Sequence, residues 1–420
     1  MTFWRLLLCP AVVLGWWIGL TAEAQPPSAR VEAAQEHNNR GARLASEGRY
    51  EEAAEAFEAA VRAAPDFVIA QYNLGLARVR LGDTARAVAA FEVAVRIRPD
   101  YGDAWYQLGQ ALYTGRRFLE AAGAFQMSLG LKPDDPDVRF RLGLSYWRLE
   151  RWSETVEQWE AVLTRSPDHA TVPRLWTDLP RAYYNLGTAH QSDGLLEAAA
   201  KAYRESIRLA PEAAEAHHNL AIVYQEQGRL GEASAAFRRS LELRPQSPEA
   251  ICGLGNVRIL QDSLDAASEL FLSALRLQRD HLEAYYGQAK VHIRRGEIDR
   301  ARRVAAHIVK LAPDDPRSHA HLAFMYEHGS SGERYGPGHR GSEALEAYRR
   351  AIRLNPHDAG YHYNVGVIHG RHKEWSKAAA AFLRAIEIDS THVEARKWLP
   401  VAQARQRGES LKSKKAQDKE

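Results

Sequence analysis

Cysteine and methionine are scarce: among 420 residues there are two cysteines, Cys9 and Cys252, and three methionines. Two thiols exclude a disulfide-stapled scaffold and any cysteine-ligated zinc or iron–sulfur cluster. An excess of one charge is also missing, since 56 Lys and Arg stand against 53 Asp and Glu, for a net charge of +3. A general nucleic-acid binder needs a basic excess, so nucleic acid is not expected as a partner. Glycine-rich phosphate loops of P-loop type, GxSxG and HExxH are absent, so no catalytic residue, metal ligand or cofactor is expected. What the chain does have is apolar residues, 45% of the total, too many for a disordered polypeptide.

Long hydrophobic runs are limited to the start. Leu6 to Leu20 follows Arg5, and Ala22-Glu23-Ala24 then offers small residues at the two positions a signal peptidase reads. Residues 1–24 therefore read as a secretory signal peptide, with a linker over 25–33. The alternative is a retained anchor, but fifteen apolar residues fall short of the roughly 20 that a span needs. No later run approaches that length, so the mature chain is expected to lack a membrane span and to be periplasmic or secreted.

Proline reveals the organisation of the rest. Pro65, Pro99, Pro133 and Pro167 are spaced by 34, as are Pro211 and Pro245, and Pro313 returns in the same phase. A fixed period of this length marks a solenoid of repeats. Registered on the prolines, position seven reads Leu74, Leu108, Leu142, Leu186, Leu220, Leu254 and Leu322. Position eight is Gly or Ala, from Gly41 to Gly366. Position twenty is mostly Ala, and position twenty-four is aromatic, from Phe57 to Phe382. Each repeat holds two segments of about a dozen residues with apolar spacing of three and four, which is an antiparallel helix pair. Gly48, Gly82, Gly194, Gly228 and Gly296 mark the turn inside the pair. Pro136, Pro180, Pro248 and Pro316 are expected to open first helices, where the missing amide hydrogen matters little. Small residues at positions eight and twenty are expected to let the two helix backbones approach, with the aromatic filling space against the next repeat.

This pattern of columns resembles the tetratricopeptide repeat, in ten copies from residue 34 to about 392. The resemblance implies an all-α, right-handed α-solenoid of helix-turn-helix repeats. Repeats one to four are expected over 34–167 and repeats five to ten over 180–392. A C-terminal cap helix is expected over 393–407 and a charged, disordered tail over 408–420. Two departures break the period: an insertion at 168–179, containing Trp176, and a Gly-rich loop at 328–342. The latter spells GxGxxG through Gly336, Gly338 and Gly341, but with helices on both sides it reads as a flexible loop rather than a dinucleotide site.

The family's first helices line a binding groove. Their sixth position here reads Asn39, Asn73, Gln107, Asn185, Asn219 and Asn364. This row is similar to the asparagine ladder in the superhelical repeats of O-linked N-acetylglucosamine transferases, where it grips an extended peptide backbone. The competing account is an asparagine that bonds only within the array. Repeats four, seven, eight and nine carry Arg141, Gly253, Gly287 and His321 instead, so the row is broken. Five hydrogen bonds at about 1 kcal/mol each do not outweigh an association cost of about 4–15 kcal/mol. Anchors are therefore required, and Tyr72, Tyr106 and Tyr184 at position five are the candidates, although packing would also account for them. The chaperone-tail clamp of the family wants Lys at that position, so that activity is not expected. Arg80, Arg148, Arg294 and Arg371 recur at position thirteen, as acid-binding groups or as a solvated face. Twelve of seventeen histidines lie between His281 and His392, without a carboxylate or thiol at ligand spacing. The expectation is an exported, non-enzymatic scaffold binding a protein or peptide segment in the groove. The alternative is a scaffold of envelope assembly or polysaccharide export that docks through its outer face.

Overall fold

The computed structural model describes the backbone of residues 27–417 and the side-chain surroundings of residues 29–408. The signal peptide expected over 1–24 lies outside the described residues. Among the described residues there are 21 α-helices and an isolated antiparallel bridge, His328 to Arg334. The chain divides into two compact units, residues 1–182 and 183–420. In the first the pairs are α1 (Pro27–Ser46) with α2 (Tyr50–Ala63), α3 (Val68–Arg80) with α4 (Thr84–Ile97), α5 (Gly102–Thr114) with α6 (Phe118–Leu131), and α7 (Pro136–Arg148) with α8 (Trp152–Arg165). The boundary falls within α9 (Val172–Ser192), which pairs with α10 (Leu196–Leu209). The second unit continues with α11 (Ala214–Glu226) and α12 (Leu230–Leu243), α13 (Pro248–Leu260) and α14 (Leu264–Leu277), and α15 (Leu282–Arg294) and α16 (Ile298–Leu311). It ends with α17 (Pro316–Glu327) and α18 (Gly341–Leu354), α19 (Ala359–Arg371) and α20 (Trp375–Ile388), and α21 (Val393–Gln417). These are the ten pairs that the period predicts, followed by a closing helix.

Pro136, Pro248 and Pro316 each open a first helix behind a capping Asp135, Ser247 or Asp315 whose side chain accepts a backbone N–H. The turn inside each pair needs one left-handed residue. Glycine supplies it at five of these turns, but Arg116, Glu150, Asp262 and Lys373 take the same positive φ. The tertiary turn therefore overrides a residue preference of about 1–2 kcal/mol.

Glycine at position eight answers to the aromatic of its own repeat. A Cβ on Gly75 would stand 2.5 Å from the Phe91 ring, and one on Gly109 would stand 2.7 Å from Phe125. The ring lies where the side chain would be, so the column is small to admit the ring rather than to bring two helix backbones together. The ring also reaches the following repeat, as expected: a Cβ on Gly253 would meet Phe237 at 2.4 Å.

A second column joins repeats. In six repeats the side chain at position four donates to the carbonyl at position thirty-two of the repeat before it. Trp105 Nε1 reaches the Pro99 carbonyl at 2.8 Å, Arg139 Nη2 reaches that of Pro133 at 2.6 Å, and Tyr285 Oη reaches that of Arg279 at 3.1 Å. His217, His319 and His362 make the same bond to Pro211, Pro313 and Pro356. Each satisfies a carbonyl two residues beyond the end of the second helix.

Three expected boundaries and one expected flexible loop differ. Residues 27–33, expected as linker, form the first turns of α1. The insertion is helix from Val172 onward, and Pro180 lies inside α9 instead of opening it. An interior proline costs about 3 kcal/mol. Leu175 and Leu179 are fully buried, and at about 1.5–3 kcal/mol each they offset it. At the other end α21 carries through Pro400 and across the expected tail to Gln417. Beyond Pro400 its residues are mostly Ala, Gln, Arg, Lys, Glu and Leu, all good helix formers. The Gly-rich loop, finally, is tied down. Buried Arg302 donates to the His328 carbonyl at 2.5 Å and the Gly338 carbonyl at 3.1 Å. Arg334 pairs with fully buried Glu327 at 2.7 Å.

Candidate functional site

The first helices of the first unit bring Tyr72 and Asn73 on α3 beside Tyr106 and Gln107 on α5, all half-buried. The Tyr72 ring rests 5.9 Å from Phe91 and 5.0 Å from Tyr101, and burial pushes its hydroxyl up to about 12. Tyr106 leans on Phe125 at 6.0 Å, and burial raises it likewise. One edge of each ring is thus core, and the other remains accessible. Asn73 Nδ2 donates to Asn38 Oδ1 of the preceding repeat at 3.0 Å, and Asn39 is exposed.

In the second unit α9 carries Tyr184 and Asn185, both half-buried, and Tyr184 meets Asn219 on α11. Asn219 Nδ2 donates to the Tyr184 hydroxyl at 2.9 Å and, more weakly, to that of Tyr203 at 3.4 Å. The Tyr184 ring packs on Tyr203 at 5.7 Å. The amide column therefore bonds between repeats, not within one. An asparagine amide has two hydrogens and an acceptor oxygen, and these bonds use Nδ2 alone.

The breaks in the row have structural causes. Phe237 and Phe271 project over position six of the next repeat, so only Gly253 and Gly287 fit there: a Cβ would lie at 2.4 and 2.3 Å. In the eighth repeat position twenty-four is Ala305 rather than aromatic, and the next repeat's sixth residue is the large, half-buried His321. His321 packs edge-on against Tyr286 at 4.9 Å. Arg141 adjoins Phe140, which is covered by Arg174 from the insertion at 5.3 Å, while Arg181 covers Trp147 at 5.9 Å. Asn364 is separate from the other amides and accepts from Arg334 Nη2 at 3.2 Å.

The position-thirteen arginines mostly face rings. Arg80 lies over Tyr50, Arg148 over Phe118 and Arg371 over Tyr335, at 5.7, 5.5 and 4.5 Å. Only Arg294 among them approaches an acid, Asp262 at 4.0 Å. The histidine group disperses: His319 and His362 are the interrepeat donors described above. His369 pairs with Glu374, and Lys377 together with that histidine holds the carboxyl down at about 2. Cys252 is buried, and burial pushes its thiol up to about 12. Sequence reading missed the position-four donors, although six residues after the proline position the chain carries Trp105, Arg139, His217, Tyr285, His319 and His362, with Ile251 as an exception. It also missed Arg334 and Tyr335, which belong to no column.

Family models described as tetratricopeptide repeat match most of the array. One covers residues 39–102, 78–136 and 339–393, a second 178–246 and a third 258–323. Among curated proteins, the Hsp70-Hsp90 organising protein of Plasmodium falciparum is 39% identical over 61 residues, 14% of this chain and 11% of that protein. The chain thus matches about a tenth of that relative's length. Among solved structures, a tetratricopeptide repeat protein from Parabacteroides merdae aligns at 18% identity and a TM-score of 0.50, over 64% of this chain and 98% of that one. Yeast Tom70 aligns at 13% identity and a TM-score of 0.47, over 92% and 99%. With the helix pairs and their columns, the family-model matches make the chain a member of the tetratricopeptide-repeat family, a protein–protein interaction scaffold built as a helical solenoid.

Proposed function

We propose that the chain is an exported, non-enzymatic scaffold that captures an extended segment of a partner protein along its first helices. The carrying observation is the pairing, in each unit, of half-buried tyrosines with half-buried amides (Tyr72, Asn73 and Tyr106 in one; Tyr184, Asn185 and Asn219 in the other), of which Asn73 and Asn219 donate through Nδ2. Tyrosine anchors add apolar area at small rotamer cost, and the amides add hydrogen bonds to a peptide backbone. Export rests on the reading of residues 1–24. The matched relative's name, an organising protein for Hsp70 and Hsp90, accords with a scaffolding role.

One observation favours docking through the second helices instead. The outer face of α6 exposes Leu119, Met127 and Leu131, and a Cβ on Gly123 or Gly130 would meet nothing within 4 Å. The test is a cross-linked pull-down with the mature protein and its triple variant Asn73→Ala, Asn185→Ala, Asn219→Ala. Loss of specific partners with an unchanged melting curve supports capture along the first helices. Persistence of the same partners refutes it and favours docking through the second helices.

A further inference from the structure

The end of the second unit holds a cavity of about 540 Å³, where residues of the last repeat meet the ninth-repeat loop and the closing helix. The volume lies within the roughly 300–1,000 Å³ of small-ligand sites. Its walls are Tyr363, Trp375 and Trp398, and its cations are Arg334 and Arg371. Gly370 leaves it open, because a Cβ there would find only ordinary contacts, Trp375 at 3.8 Å and Ala378 at 3.9 Å. Trp398, on the closing helix α21, stays 43% exposed.

The charges around it do not balance. Arg334 is answered by Glu327 at 2.7 Å. Arg371 lies over the Tyr335 ring at 4.5 Å, and Arg405 over the Trp375 ring at 5.9 Å. Neither pairs with a carboxylate among the described residues. A guanidinium placed over a ring keeps N–H donors free for a carboxylate. A purely apolar occupant would leave both arginines unanswered, and a bare anion would leave two tryptophans exposed.

We propose that this cavity is a second binding site, separate from the amides Asn73, Asn185 and Asn219. It takes an acidic side chain adjoining a bulky apolar one in a partner segment. Arg371 binds the carboxylate, and Trp375 and Trp398 cover the apolar neighbour. The ninth-repeat insertion exists to carry Arg334 and Tyr335 to the site, and Arg302 fixes it there through the His328 and Gly338 carbonyls.

The test uses the full mature chain and ¹⁹F NMR with acetyl-Asp-(4-fluoro)Phe-amide, its Asn analogue, and acetyl-Gly-(4-fluoro)Phe with a free carboxylate. The Asp probe is expected to bind at least ten-fold more tightly than the Asn probe, and Arg371→Gln to remove the difference. Gly370→Leu fills the cavity and improves helix propensity, so it is expected to abolish binding without lowering the melting temperature. Equal binding of the Asp and Asn probes overturns the proposal, as does binding that survives Gly370→Leu. Binding of the free-carboxylate probe alone overturns the assignment to an acidic side chain.

Discussion

Two glycine-to-alanine changes in the first unit should act with opposite sign. At Gly143 on α7 a Cβ would stand 2.2 Å from Trp159 Nε1 and 2.4 Å from its Cδ1. Unstrained contact needs about 3.5 Å, so the indole must move by more than about 1 Å. It has little room, being 1% exposed and stacked against Trp147 at 5.5 Å and Phe140 at 6.2 Å. Its N–H also donates to the Phe140 carbonyl at 3.3 Å. Overpacking costs about 1–3 kcal/mol and a weakened buried hydrogen bond about 1 kcal/mol. Alanine in place of helical glycine returns about 1 kcal/mol. The expected net loss for Gly143→Ala is about 1–3 kcal/mol. At Gly123 on α6 nothing lies within 4 Å, so Gly123→Ala should gain about 0.5–1 kcal/mol from propensity alone. Urea unfolding measures both, with hydrogen exchange of α7 and α8 localising the effect, because repeat arrays open by neighbouring units. Near-UV circular dichroism should change only for Gly143→Ala. If Gly143→Ala proves as stable as Gly123→Ala, the account of position eight as the seat of the ring is wrong.

Burial, aided by Lys290, lowers His321 to about 4, against about 6.5 in an unfolded chain. The unfolded state therefore takes up the proton first, and its stabilising neutrality is present above pH 6.5 and lost as the pH falls to about 4. The slope is about 1.4 kcal/mol per pH unit. Subtracting the urea stability of His321→Gln from that of the parent over pH 4–7 should show it, and a flat difference refutes it. Cys252, with its thiol raised by burial to about 12, should resist Ellman's reagent at pH 8 and react fully in denaturant. Rapid reaction of the native protein would contradict the packing of α13.

The helix pairs were legible because their signals are local. Amphipathic spacing, a proline after eight of the ten second helices and a capping Asp or Ser before Pro136, Pro248 and Pro316 act within a few residues, and the period repeats the amphipathic pair ten times. The binding columns were legible as positions but not as bonds. Whether Asn219 meets a hydroxyl or solvent depends on Tyr184, one repeat away. Pro180 looked like a helix start, whereas burial of Leu175 and Leu179 carried the helix through it.

The sequence by itself therefore determined the class, the ten-fold register and the alignment of tyrosines and amides on first helices, since periodicity and caps need no distant partner. Tertiary structure alone decided which glycines are indispensable, and it forced Arg116, Glu150, Asp262 and Lys373 into a left-handed turn. It also joined Arg334, Arg371 and Trp398 in one cavity. Those outcomes follow from contacts between residues tens of positions apart, where close packing outweighs local preferences of about 1 kcal/mol.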